Sequence, residues 1–246
     1  MRAYWLGRVE YAAAWKLQKE LATLRAERRM GDILLLLEHP PTITLGRGAS
    51  THHIVAPMDE LERLGVTIQQ VDRGGDVTYH GPGQLVGYLI CHLGEHGKDL
   101  HLFLRRIEEA LIEALATFGV QGCRFPPHTG VWVNNGKIAA IGIKVTKWVS
   151  THGFALNVSP DLRHFQWIVP CGIHNYGVTS LHAILGYTPG LSEVLRSIVN
   201  AFGHIFPDMG DMGTTPWELL SEASRRIMEP GSMVEIEQGV QNAKRF

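Results

Sequence analysis

The chain has 246 residues, of which 45% are hydrophobic and 19% charged, and its formal net charge is -1. That balance allows a sizeable core and excludes both a disordered chain and a broad basic surface for nucleic acid. The longest apolar run, residues 33–37, is far too short to cross a bilayer, and Gly7, Arg8 and Glu10 interrupt the apolar start, so neither a membrane helix nor a signal peptide is expected.

Residues 4–6 read as a short first strand, and 11–29, rich in Ala, Leu, Lys and Glu, as a helix. The continuous apolar run 33–37 suits a strand covered on both faces, which Pro40 and Pro41 end before a second short strand at 42–45. A short helix at 58–64, closed by Gly65, leads to a strand at 66–71. After the Gly81-Pro82-Gly83 turn, residues 85–93 form another strand. The clearest helix covers 100–118, because Leu100, Phe103, Leu104, Ile107, Leu111, Ala114, Leu115 and Phe118 share one face. Asp99 caps its start and Gly119 its end. Residues 130–133 and 137–145 make a hairpin around Asn134-Asn135-Gly136, with a further strand at 153–158 beside it. Helices follow at 191–206 and 216–227; Thr215 and Glu218 open the second in capping-box spacing, with Pro216 at its first position.

Strands alternate with helices in the first half, whereas 130–158 is strand upon strand. The expected fold is therefore α/β (α+β), a mixed β-sheet with flanking helices. No linker, charge block or internal repeat divides the chain, so residues 1–228 are read as one domain and 229–246 as a tail without assigned structure.

Several familiar motifs fail in instructive ways. Residues 130–137 resemble a phosphate loop, but five residues separate Gly130 from Gly136 where four are needed, and Ile138 stands where a Ser or Thr would hold a metal. Gly81, Gly83 and Val86 lack the third glycine of a dinucleotide fingerprint and precede a strand instead of a helix. His92-Leu93-Gly94-Glu95-His96 spells a zinc-peptidase pattern, yet Gly94 and Gly97 oppose the helix it requires, and no metal site is expected. There is no Gly-x-Ser-x-Gly elbow, so nucleophilic chemistry falls to a cysteine.

The three cysteines, Cys91, Cys123 and Cys171, are odd in number and far apart, which argues for free thiols in a reducing compartment such as the cytoplasm. Cys91 reads as a buried small hydrophobe inside a strand, and Cys123 lies in a polar loop. Cys171 stands between the rigid Pro170 and the permissive Gly172, a context that presents a sulfur on a loop but is equally open to a structural role. The stretch from Arg73 to Gln84 packs four glycines and several polar side chains between two strands. It is either a loop pressed against a ligand or a tight connection that satisfies its own turn.

Residues 73–84 resemble the signature loop of the octanoyltransferases of lipoate biosynthesis, the lipoate-protein ligase B family. Lys137-Ile138-Ala139-Ala140-Ile141-Gly142, His152-Gly153-Phe154-Ala155-Leu156-Asn157 and Pro170-Cys171-Gly172-Ile173 resemble its other blocks, in the same order. The resemblance implies a fold shared with biotin and lipoate ligases, with Cys171 as carrier of the acyl group and Lys137 as its basic partner. It also implies substrate-binding roles for Arg73, Gly74, Gly75, Asp76, Val77, Thr78, Tyr79 and His80, for Ala140, Ile141 and Gly142, and for Gly153, Phe154 and Ala155.

What the resemblance implies for chemistry is transfer of an octanoyl group from octanoyl-acyl carrier protein, through a thioester on Cys171, to an acceptor lysine. The acceptors would be lipoyl domains of 2-oxoacid dehydrogenase E2 subunits and the glycine cleavage H protein. Neither a cofactor nor a metal, and neither nucleic acid nor membrane, is expected; a monomer is the working expectation. Three rivals differ in one feature each. An ATP-dependent ligase of the same fold would bind an adenylate and would not need Cys171; a transferase between lipoyl-type proteins would use another donor; a carrier-binding module would form no adduct.

Overall fold

The computed structural model describes residues 2–169, 177–206, 220–228 and 234–236. Strand β1 (Arg2–Arg8) leads into helix α1 (Tyr11–Ala26) and back into β2 (Ile33–Glu38), which lies parallel to β1. The helix stops short of the expected residue 29: Arg28 has a left-handed φ of 58°, a conformation that a right-handed helix cannot continue through. On β2, Leu34 and Leu36 enter one core cluster while Leu35 and Leu37 enter another, so a run without polar alternation is buried on both faces.

A second, smaller sheet follows. Strand β3 (Thr42–Leu45), helix α2 (Met58–Arg63), strand β4 (Thr67–Gln70) and strand β5 (Val77–His80) build it in the order β4-β3-β5. Strand β5 corrects the reading of 73–84 as connection throughout. Four residues between glycines are too few to display a period, and their pairing partner, β3, lies far away in sequence.

The chain then returns to the main sheet through β6 (Gln84–Ile90), antiparallel to β2. Cys91 follows this strand instead of lying inside it, and it is fully buried. Helix α3 (Leu100–Ala116) is capped as expected, with Asp99 Oδ1 accepting from the amides of His101 at 2.8 Å and Leu102 at 3.0 Å. Its buried face carries Phe103, Ile107, Leu111 and Leu115, each worth about 1.5–3 kcal/mol of burial.

Four antiparallel strands come next: β7 (Cys123–Phe125), β8 (His128–Val133), β9 (Gly136–Thr146) and β10 (Val149–Asn157). The β8–β9 hairpin turns where expected, with Asn134 at φ 51°, a conformation that Asn tolerates better than most residues. Cys123 is exposed at the start of β7, not in a loop. Beyond them lie β11 (Gly177–Val178) and helices α4 (Leu181–Leu185) and α5 (Leu191–Ile205). Helix α5 packs on α3 through Val194, Ile198 and Phe202.

Helix α6 (Glu222–Ile227) begins six residues later than the sequence pattern indicated. Ser221 Oγ accepts from the amide of Ser224 and caps it, while Thr215, Pro216 and Glu218 lie outside the described residues. Strand β12 (Val234–Ile236), within the segment read as a tail, pairs antiparallel with β1. Among the described residues the main sheet runs β12-β1-β2-β6-β10-β9-β8-β7, with β11 set against β9. No helix among them is long and apolar enough to cross a membrane.

Candidate active site

Strands β9 and β10 place Ala140 opposite Ala155, Ile141 opposite Phe154 and Gly142 opposite Gly153. The absence of side chains at the two glycines lets other backbone approach. The Arg73 loop lies across β9, its Gly74 amide donating to the Ile143 carbonyl at 3.0 Å, and a Cβ on Gly142 would stand 2.8 Å from the Gly74 oxygen. A Cβ on Gly153 would stand 2.1 Å from the carbonyl oxygen of Gly87, which belongs to the paired strand β6 and has little room to yield. Gly153→Ala is therefore expected to cost about 1–3 kcal/mol of stability, seen as a lowered urea midpoint. An unchanged midpoint would contradict this packing argument.

The loop is held from below by the Arg73 guanidinium. It is buried and donates to the Thr44 carbonyl at 3.0 Å, the Thr44 hydroxyl at 2.9 Å and the Gly74 carbonyl at 3.0 Å. Asp76 stiffens the far side, accepting from the Val77 amide at 2.7 Å and pairing with His53 Nδ1 at 2.7 Å.

Between this loop, β9 and β10 lies a cavity of about 450 Å³. Arg73, Gly74, Gly75, Asp76, Val77, Thr78 and His80 line it, together with Lys137, Ala140, Ile141, Gly142, Gly153, Phe154 and Ala155. Tyr79 does not. Strand alternation turns its ring away from the cavity into a cluster with Phe165 and Trp167, where its hydroxyl meets His164 Nδ1 at 2.7 Å. Cys171 lies outside the described residues. The Lys137 ammonium sits 4.9 Å from the centre of the Trp132 ring, a cation–π contact.

Other lining residues were not expected at the site, although His152 opens one of the blocks that carry the family resemblance. Tyr11, Tyr88 and His152 form a polar wall, and Leu100, Leu104, Val86 and Ile143 an apolar one. The imidazole of His39, behind this wall, bonds the Val9 carbonyl at 2.6 Å and the Tyr88 hydroxyl at 2.6 Å; burial lowers its pKa to about 4. Burial likewise raises Tyr11 to about 12, so the wall is uncharged at neutral pH.

His152 adopts φ 60° and is almost wholly buried, its ring bonded to Asp72 at 2.8 Å. Lys144 donates to the other Asp72 oxygen at 2.7 Å. Burial pushes the Asp72 carboxyl up, but the hydrogen bonds from Lys144 and His152 outweigh it and hold the group at about 2. A depressed carboxylate contributes stability that is complete above its ordinary pKa of about 4 and fades as pH falls toward 2. Asp72→Asn should thus lose less stability than the parent between pH 4 and pH 2 in urea titrations; an equal loss would show that this ion pair is not coupled to folding. Position 72 adjoins the signature loop, yet nothing local reveals partners 72 and 80 positions away.

The model for the lipoyl protein ligase A/B catalytic domain matches residues 10–203. An octanoyltransferase of Chloroflexus aggregans is 51% identical over 209 residues, covering 84% of this chain and 95% of that protein. One from Roseiflexus is 51% identical over 205 residues, covering 82% and 84%. Among solved structures, lipoate-protein ligase A bound with ATP superposes with a TM-score of 0.66 at 16% identity over 92% of each chain. The biotin protein ligase of Aquifex aeolicus, in complex with biotin and ATP, gives 0.52 at 16% over 84% of this chain and 70% of that one. These two likenesses establish the shared fold. The chain belongs to the lipoyl protein ligase A/B catalytic-domain family, among its octanoyltransferases, and is an acyltransferase that moves octanoyl groups in protein lipoylation.

Proposed function

We propose that the enzyme takes its octanoyl group from octanoyl-acyl carrier protein, holds it as a thioester on Cys171, and delivers it to a lysine of lipoyl domains. The acceptors are the E2 subunits of 2-oxoacid dehydrogenases and the glycine cleavage H protein. One observation carries this reading. Strand β11 pairs with β9 at Gly136 and Lys137, so the chain that follows the Cys171 segment forms part of the cavity wall beside the lysine. On the other flank, the Val169 amide is anchored to the His53 carbonyl at 2.8 Å.

In the first half-reaction the Cys171 thiolate attacks the thioester carbonyl, and the carrier's thiolate leaves with a proton from the Lys137 ammonium. A thiol with a pKa near 8.5 is only about 3% ionised at pH 7, so a neighbouring ammonium raises the reactive fraction many-fold. The octanoyl chain lies in the cavity along Val86, Ile141 and Phe154. About six buried methylenes contribute on the order of 5 kcal/mol, enough to select chain length. Arg73, Gly74, Gly75, Asp76, Val77, Thr78 and His80 bound one side of that slot and Ala140, Gly142, Gly153 and Ala155 the other. The cytoplasm, which keeps thiols reduced, suits the free Cys91 and Cys123 as well as a reactive Cys171.

The energy of the carrier thioester drives amide formation, so no adenylate is needed. The test supplies the enzyme with octanoyl-acyl carrier protein and a lipoyl domain in the absence of ATP. Octanoylated domain is expected. A requirement for ATP and free octanoate, with release of pyrophosphate, would overturn the reading in favour of a ligase.

A further inference from the structure

Ile141 of β9, Phe154 of β10, Gly87 of β6 and Leu36 of β2 are successive partners across four strands, so they share one face of the main sheet. That face packs against α3 and α5. Ile141 and Phe154 line the cavity. The Phe154 ring leans away from Ile141 and lies across Gly87: a Cβ on that glycine would overlap ring carbons Cε1 and Cζ and stand 2.9 Å from Cδ1. Gly87 is not among the glycines with a left-handed φ, so its backbone does not call for glycine; the ring above it does.

The ring has one direction in which to move. Phe202 of α5 stacks on it, with ring centres 5.2 Å apart and planes 23° apart. Phe202 is itself fully buried and backed by Phe206, whose ring is 5.8 Å away and within 10° of parallel, and Phe206 rests on Phe103 of α3 at 5.6 Å. A close-packed aromatic stack of this kind does not yield easily. With β6 on one side and the stack above, the open side is the cavity beside Ile141. Whatever occupies position 87 therefore sets how far Phe154 stands into the cavity.

We propose that Gly87, through Phe154, limits the length of the acyl chain that the enzyme accepts, with Phe202 as the backing that fixes the ring. This rests on the acyl chain lying in the cavity, as proposed above, and names what ends the slot. Ile141 and its partner Phe154 stand four strand residues beyond Lys137, roughly 13 Å along β9, which is the order of an extended octanoyl chain. A longer chain meets the ring; a shorter one leaves apolar wall uncovered. Phe154 touches the end of the chain, and Gly87 and Phe202 are positioning residues.

Competition between donors tests the idea, because a ratio of products is indifferent to a general loss of rate. Equal amounts of hexanoyl-, octanoyl- and decanoyl-acyl carrier protein are mixed with enzyme and lipoyl domain, and the acylated domains are compared by intact mass. Phe154→Leu opens the space over Gly87 and should raise the decanoyl-to-octanoyl ratio about tenfold, since each accommodated methylene is worth about fourfold. Gly87→Ala drives the ring toward Ile141 and should raise the hexanoyl-to-octanoyl ratio by a similar factor. Should Gly87→Ala fail to fold, Phe154→Leu decides alone. Ile141→Phe narrows the slot from the facing strand and should also favour hexanoyl. If it does so while Phe154→Leu keeps the parent's ratios or shifts toward hexanoyl, or while a folded Gly87→Ala keeps them, the proposal is overturned. If all three variants keep the parent's ratios, the acyl chain does not lie in this cavity and the underlying reading falls with it.

Discussion

Replacing Cys171 with alanine is expected to lower octanoyl transfer to a lipoyl domain by at least about 10⁴-fold. On the proposed mechanism the two half-reactions meet only at the sulfur. The carrier delivers the acyl group and departs before the acceptor lysine must reach the same carbonyl, so removing the thiol forces two protein substrates to react within one cavity of about 450 Å³. The rate is read from the octanoylated fraction of lipoyl domain by mass spectrometry. A variant that keeps a tenth or so of the parent rate would indicate direct attack of lysine on the carrier thioester.

Lys137→Met should have the second largest effect, lowering transfer by about 10²–10⁴-fold. Methionine keeps an apolar stem beside the Trp132 ring, but it removes the ammonium that, on the proposed mechanism, stabilises the thiolate and protonates the departing carrier thiolate. The sign is also measurable without turnover. Loss of a neighbouring positive charge raises the Cys171 pKa, so the pH profile of Cys171 alkylation should shift upward toward about 8.5. On the proposed mechanism Cys171 and Lys137 would titrate as a coupled pair, so the shift is read from the whole profile and not assigned to one residue. An alkylation profile identical to the parent's would mean that Lys137 does not ionise the thiol.

Much of the fold was legible because some elements are specified locally. The β2 run, the periodic face of α3 with its Asp99 cap, and the β8–β9 turn at Asn134 each carry their signal within a few residues. Strands β5, β7, β11 and β12 do not. They span two to four residues and exist because a partner strand, brought from elsewhere in the chain, completes their hydrogen bonds. Missing β5 also hid the fate of Tyr79, since only a strand turns that ring away from its neighbours Thr78 and His80.

The site divides in the same way. Arg73, Gly142 and Gly153 stood out as unusual residues in contiguous blocks, and the glycines turn out to be where backbone crosses backbone. His152, Gln84 and Asn157 stand in those blocks, but the pairing of Asp72 with His152 and Lys144 and that of Gln84 with Asn157 were invisible, because the partners come together only once β6, β9 and β10 are aligned. Gln84 and Asn157 are 73 positions apart and oppose each other across two paired strands. The failed motifs have structural explanations too. His96 bonds Asp32 at 2.6 Å within a buried ion-pair cluster that includes Arg25, and Gly94 lies in a single turn of 3-10 helix.

The central claim is that one sulfur carries the acyl group. Intact-mass measurement after mixing with octanoyl-acyl carrier protein, in parent enzyme and in Cys171→Ala, tests it most directly. One octanoyl increment on the parent, released by lipoyl domain, and none on the variant is the expected result; an increment on both proteins, or on neither, would contradict the account.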